Sequence, residues 1–171
     1  MGRRTPPGAE RGATPAVRAA AAAGVAHTVH AYEHADGGTD FGAEAVRAMA
    51  GLAGAEPEQI FKTLLADVDG QLHVAVLPVP WRLDLKALAA AVGGRRAAMA
   101  EPARAERSSG YVLGGISPLG QRTALPTVVD ETALLWDTVF VSAGRRGLEI
   151  GLAPQDLVRV TGAVVAEVAR G

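Results

Sequence analysis

The dipeptide Asp69-Gly70 sits between two apolar runs, Phe61 to Val68 and Gln71 to Val79, and limits the fold more than any other feature of the chain. Asp-Gly readily takes the positive φ angles of a two-residue hairpin turn, so the two runs are predicted to pair as adjacent antiparallel strands. Lys62 then falls inside the first strand, between Phe61 and Thr63, with Leu64 and Leu65 following. Both faces of that strand read as buried, a costly place for an ammonium group. Either its stem packs while its head reaches water at the strand's mouth, or the charge is used. Composition sharpens the question. Of the 17 basic residues only Lys62 and Lys86 are lysines, in a chain rich in alanine, glycine and arginine. Lys86 reads as a solvated helix residue.

The rest of the chain alternates helices and strands around this hairpin. Residues 1–13 are polar and rich in Gly, Pro and Arg, and are expected to form a disordered tail, with one domain over residues 14–171. Thr14 and Pro15 start a helix that stops at Gly24. Val25 to Tyr32 alternates as a strand, Glu33 to Gly42 is a loop, and a helix from Ala43 to Gly54 presents Val46, Met49, Ala50 and Ala53 on one face. Asp84 caps a helix with Leu85, Leu88 and Val92 inward, Arg96 to Ala100 reads as a strand, and Glu101-Pro102 opens a short polar helix. Thr127 to Val129 is strand-like, and Asp130 caps a brief helix to Trp136. Thr138 to Ser142 turns through Gly144–Gly147 into Leu148 to Leu152. Pro154 opens a helix to Thr161, and Ala163 to Ala169 alternates like a closing strand. Interleaved strands and helices with two hairpins imply an α/β fold, its mixed sheet covered by helices.

The segment Arg107 to Pro126, RSSGYVLGGISPLGQRTALP, reads as a functional loop or as a glycine-rich connection between core elements. Its glycines and prolines disfavour a helix, and Tyr111, Val112, Leu113 and Ile116 suggest a short buried strand running into a bend whose amides face a polar ligand. Gly115 to Gly120 has the spacing of a phosphate loop, but Gln121 and Arg122 follow where lysine and a hydroxyl are needed. Ser117 lies in a frame one residue too long for a nucleophile elbow, and Pro118 removes an amide.

Other chemistry is thinly represented. The chain has no cysteine, which excludes disulfides, thiolate metal sites and cysteine nucleophiles, and suits a reducing cytoplasm. No apolar run is long enough to span a bilayer, so no membrane partner is expected. The formal net charge of −1 predicts that any polynucleotide is held weakly or over a small footprint. His27, His30 and His34 with Glu33 and Asp36 are poorly arranged for zinc, because His27 and His30 point to opposite faces of a strand. Glu149 stands out. It lies in GLEIGL, a short apolar strand, either as an edge-strand carboxylate or as part of a site.

Five segments taken together, YEH at 32–34, DFG at 40–42, FKTLL at 61–65, GGISPLGQ at 114–121 and VSAGRRGLEI at 141–150, resemble in order and spacing the YbaK/EbsC family of trans-editing deacylases. That family is related to the editing domain inserted in prolyl-tRNA synthetases, and the similarity runs from about Thr14 to Arg170. The resemblance implies a mixed, barrel-like sheet flanked by helices and hydrolysis of a mischarged amino acid, most of all cysteine on tRNA(Pro), from the tRNA 3′ end. It implies a catalytic Lys62, with Thr63 beside it at the terminal adenosine and ester. Tyr32 and Phe41 would wall the pocket, Gly114 and Gly115 would line the aminoacyl site, and Ser142 and Glu149 would lie opposite. The family often has Asp where this chain has Glu149, which bears on how the substrate's α-ammonium is held. The implied mechanism needs no metal or cofactor, since the substrate thiol attacks its own ester. The implied partners are the tRNA acceptor end, bound weakly by the protein alone, and prolyl-tRNA synthetase. Ala-tRNA(Pro) hydrolysis by water and a non-catalytic binding module are the alternatives.

Overall fold

A computed structural model describes residues 13–35 and 37–171; the expected tail lies outside them except for Ala13. Helix α1 (Pro15–Ala22) begins where Thr14 Oγ1 accepts the Val17 amide, and the same hydroxyl donates to the Ala143 carbonyl, so the cap also ties the helix to the core. Strand β1 (His27–Ala31) follows. Helix α2 (Phe41–Ala53) starts two residues earlier than its apolar period suggests, because Asp40 Oδ1 caps the Ala43 amide. It ends at Gly54, which adopts a left-handed φ of 63°. Its buried positions are Ala45 and Met49; the expected face is rotated, leaving Ala50 and Ala53 exposed.

The hairpin forms as its turn demands. Strands β2 (Phe61–Val68) and β3 (Gln71–Pro78) pair from Phe61↔Pro78 to Val68↔Gln71, with φ of 52° at Asp69 and 92° at Gly70. Then come β4 (Arg82–Leu83), α3 (Leu85–Ala91), β5 (Ala97–Met99), α4 (Pro102–Ser109) and β6 (Thr127–Asp130). A 3-10 turn at Glu131–Leu135 leads to β7 (Val139–Arg145), β8 (Leu148–Leu152), α5 (Pro154–Thr161), β9 (Val164–Ala166) and β10 (Ala169–Arg170).

Five strands form a mixed sheet in the order β5-β2-β3-β6-β9, antiparallel from β5 to β3 and parallel from β3 to β9. A second sheet has the order β1-β8-β7, all antiparallel, and β10 pairs with β4. The α/β class and mixed sheet agree with the sequence, but the sheets approach one another without closing into a barrel. A parallel bridge between Ile60 and Phe140 is the seam between the first two. The expected closing strand is broken because the amides of Val168 and Ala169 bond to Asp130 Oδ1.

The glycine segment is also not as expected. Its first three residues end α4, Gly110 caps that helix with φ 79°, and residues 111–116 form no strand. Tyr111 is buried and its hydroxyl donates to Leu119 O at 2.7 Å, so the loop folds on itself, while Val112 and Leu113 remain exposed. An apolar run can satisfy burial this way without entering a ladder. The largest buried cluster joins Val74 and Val76 of β3 to Val141 and Ile150 of the second sheet, with Leu119 of the loop and Leu157 of α5.

Candidate active site

A cleft of about 320 Å³ opens along the seam between the two large sheets. The Ile60–Phe140 bridge sets the start of β2 beside β7, and Ser142 on β7 pairs with Glu149 on β8. Lys62 and Thr63 therefore line the same cleft as Ser142 and Glu149, together with Phe41 from the first turn of α2 and Gly114 from the loop. Apolar floor is supplied by Ile60, Phe61, Val79 and Ile116. Six of the residues singled out in the sequence line one cleft; Tyr32 and Gly115 do not.

Lys62 is half-buried rather than enclosed. Its ammonium donates to the carbonyl oxygens of Trp81 at 2.6 Å and Val79 at 3.2 Å, where the chain leaves β3 and turns into β4. Both acceptors are neutral. Desolvation, and then the neighbouring Arg82, lower the lysine's pKa from its ordinary value. The charge is thus held in place by groups that solvate it without neutralising it, which leaves it able to act on a developing anion.

Glu149 is 6% exposed and its Oε2 has no hydrogen-bond partner. Burial alone pushes its carboxyl up to about 8. Thr63 Oγ1 is likewise buried and unpartnered. Among the described residues three buried side-chain atoms lack a partner, and two of them line this cleft. Buried polar groups are nearly always paired, so two orphans in one concave site are groups that a ligand would satisfy.

The glycine loop meets α2 at a single crowded point. Gly114 has φ 82°, and a Cβ there would lie 2.5 Å from the Phe41 ring, so no other residue lets the loop approach this wall. The guanidinium carbon of Arg146 lies 4.4 Å from the centre of the same ring, and Arg146 Nε donates to Leu113 O at 2.8 Å. Arg146 was passed over in the sequence as a turn residue; the aromatic in DFG and the paired arginines gave no hint that they meet.

A family model for the aminoacyl-tRNA editing domain matches residues 42–160, which hold the lysine strand, the glycine loop and the Glu149 strand. The chain belongs to this family. A relative described as a Cys-tRNA(Pro)/Cys-tRNA(Cys) deacylase, EbsC of Enterococcus faecalis (strain ATCC 700802 / V583), is 37% identical over 139 residues, covering 80% of this chain and 82% of the relative. The multifunctional Ser/Thr-tRNA deacylase ProXp-y of Escherichia coli (strain K12) is 31% identical over 118 residues, 66% of this chain and 71% of that one. Among solved structures, the hypothetical protein APE2540 superposes with a TM-score of 0.79 at 26% identity, over 92% of this chain and 100% of that one. A structure titled as a trans-editing enzyme for prolyl tRNA synthetase gives 0.76 at 26% identity, over 92% and 96%.

The two sequence-selected residues outside the cleft of this editing domain both rest on the turn between β7 and β8. Tyr32 N donates to Gly147 O at 2.9 Å, and a Cβ on Gly115 would meet the Arg145 Cα at 2.8 Å. Burial, and then the charge of Glu149, raise the Tyr32 phenol well above its ordinary range, so it stays neutral. His34 Nδ1 lies 2.6 Å from Glu44 Oε2 as an ion or hydrogen-bonded pair, and no group of three metal-ligating side chains occurs among the described residues. Asp36 lies outside them. Ser117 is fully buried and its Oγ accepts the Leu119 amide, a turn contact. No helix among the described residues is long and apolar enough to cross a membrane.

Proposed function

We propose that this editing domain hydrolyses the ester of a mischarged aminoacyl-tRNA in trans, with Cys-tRNA(Pro) as its main substrate. The observation that carries the reading is the pair of unpartnered polar atoms, Thr63 Oγ1 and Glu149 Oε2, in the cleft that Lys62 also lines. An aminoacyl ester offers a hydroxyl, an ester carbonyl and an α-ammonium, which match those three groups. Glu149 meets the ammonium and ionises on binding, Thr63 bonds the ester or ribose end, and Lys62 stabilises charge that develops on the carbonyl oxygen. Phe41 and Gly114 set the width available to the side chain, with Tyr32 and Gly115 behind them and Ser142 flanking Glu149.

No side chain in the cleft is a competent nucleophile. Ser142 Oγ accepts the Gly144 amide at 3.2 Å and no histidine lines the cleft. The substrate's own thiol fills that role: sulfur bonds to the ester carbon, the carbon–oxygen bond breaks, and the tRNA hydroxyl leaves with a proton. The resulting thiolactone then reacts with water. Intramolecular attack of this kind draws on effective molarities of about 10⁵ to 10⁸ M, reduced by the strain of the small ring. The prolyl-tRNA synthetase partner supplies tRNA selection, since a chain of net charge −1 gains little from counterion release.

The Ser/Thr-tRNA deacylase among the relatives favours a second reading, in which a positioned water attacks a seryl or threonyl ester and Thr63 Oγ1 bonds the substrate hydroxyl. Deacylation of a panel of charged tRNAs separates the two. The thiol mechanism requires that Cys-tRNA(Pro) is cleaved while the S-methylcysteinyl and seryl forms are nearly inert. Efficient cleavage of seryl-, threonyl- or alanyl-tRNA replaces it with the water mechanism, and cleavage of none refutes the assignment.

A further inference from the structure

The β7–β8 turn touches both the glycine loop and the residue that follows β1. Gly115 lies flat on it, since a Cβ there would come within 2.9 Å of Arg146 N, and Tyr32 is bonded to its Gly147 carbonyl. From that turn one side chain reaches the lining itself. Arg146 covers the outer face of Phe41 and holds the carbonyl of Leu113, the residue before the Gly114 that presses on the same ring. The stretch it holds is the exposed part of a loop otherwise anchored by buried Tyr111 and Ile116: Val112 and Leu113 are 51% and 36% exposed, and the Leu113 amide bonds to the Glu106 carboxylate. Phe41 in turn is the first residue of α2, and the His34 ring lies 5.4 Å from its own, tilted against it. An aromatic ring and a loop meeting at one point need something outside them to fix their separation.

We propose that Arg146 is the positioning residue that sets the width of the aminoacyl cleft, by clasping the glycine loop and the Phe41 ring to the β7–β8 turn. Only arginine suits this task. Its plane lies over the ring while Nε remains free to donate sideways to Leu113 O; a lysine ammonium keeps the charge but cannot do both. The neighbouring Arg145 is an internal control, because both arginines are exposed but the Arg145 side chain makes no hydrogen bond or ion pair among the described residues. A role in attracting tRNA would be shared by both arginines, whereas a clasp belongs to Arg146.

The inference rests on the deacylase reading, so the experiment has two arms. In the first, Arg146→Lys and Arg146→Gln are compared with Arg145→Ala for turnover on Cys-tRNA(Pro) and on a bulkier ester, methionyl-tRNA(Pro). Both Arg146 variants should lose about tenfold or more in kcat with KM for the tRNA little changed, and discriminate less against the bulkier ester, while Arg145→Ala behaves as wild type. Full rescue by lysine, or an equal loss in Arg145→Ala confined to KM and relieved at low salt, overturns the clasp in favour of a phosphate contact. In the second arm, hydrogen exchange of the free proteins is followed at the Leu113 and Gly115 amides. Faster exchange there in both Arg146 variants, with the sheets unchanged, supports the clasp, and unchanged exchange refutes it. If the wild-type protein cleaves no aminoacyl-tRNA, the deacylase reading fails and this arm alone decides.

Discussion

Two buried carboxylates, Asp130 at the end of β6 and Glu149 near the start of β8, are 1% and 6% exposed and differ in almost everything else. Asp130 Oδ1 accepts the amides of Val168 and Ala169, both at 2.9 Å, and its Oδ2 accepts the Thr132 hydroxyl at 2.6 Å and the Thr132 amide at 3.2 Å. Glu149 Oε2 accepts nothing. The first is a knot: it joins the five-stranded sheet to the C-terminal segment and has no acceptor capacity to spare. The second lies between β1 and β7 with its ladder bonds made by backbone, so its side chain is not needed to hold the strand. Equal burial therefore means opposite things in the two regions. What separates structure from function is whether the donors a buried acid needs are already present in the fold.

If that contrast is right, the polar groups of the cleft are dispensable for folding and required for turnover. Lys62→Ala gives the largest effect. It removes a half-buried ammonium whose partners are the backbone carbonyls of two half-buried residues, so the melting temperature should change little. Deacylation should fall about 10²- to 10³-fold or more, the cost of losing one preorganised donor at a developing anion. Lys62→Arg should fail as well, because a planar guanidinium is too bulky for the position between the Val79 and Trp81 carbonyls. Near wild-type turnover by Lys62→Ala in a single-turnover assay would remove the lysine from the mechanism.

Asp130→Ala tests the other half of the contrast and should do the reverse. Two buried amides and a hydroxyl lose their acceptor, which costs about 3 kcal/mol or more in chemical denaturation. The residual folded protein should deacylate at a normal rate per folded molecule. A folded but inactive Asp130→Ala would show that the knot communicates with the cleft and that the two regions are not separable.

The sequence carried one of these regions better than the other, for a physical reason. Hairpin, caps and α2's glycine stop are local chemistry: Asp69-Gly70, Thr14, Asp84 and Gly54 each act on neighbours a few residues away. Lys62 was legible because an ammonium in an apolar strand is an anomaly wherever the rest of the chain goes. Its partners were not, since the Val79 and Trp81 carbonyls are backbone groups that every residue possesses. Asp130 was read as a cap, which it is, but its bonds to residues 168 and 169 leave no trace in the local pattern and split the expected final strand. The run 111–116 misled for a related reason, because Tyr111 is buried by its own loop rather than by a sheet. Arg146 was invisible because its value depends on Phe41 and Leu113 meeting it from distant parts of the chain.

The smallest expected effect is the most direct test of Glu149's missing partner, and it is read in stability rather than activity. Its carboxyl moves from 4.5 in an exposed setting up to about 8 in the fold, through burial. Between those values the native chain keeps a proton that the unfolded chain has released, so the free energy of unfolding falls as pH rises through that window and is level outside it. Glu149→Gln keeps the size and neutrality of the protonated acid without the titration. Variant and wild type should melt together in acid and separate progressively above it, with the variant more stable by about 1–2 kcal/mol at mildly alkaline pH. The gain stays below the full shift because the added amide must itself find an acceptor in the cleft. The same substitution should still impair deacylation, since a neutral amide cannot balance the α-ammonium of the substrate. Should wild type prove the more stable protein at alkaline pH, the Glu149 carboxylate has donors within the fold, and it is a second knot like Asp130 rather than a group held open for a ligand.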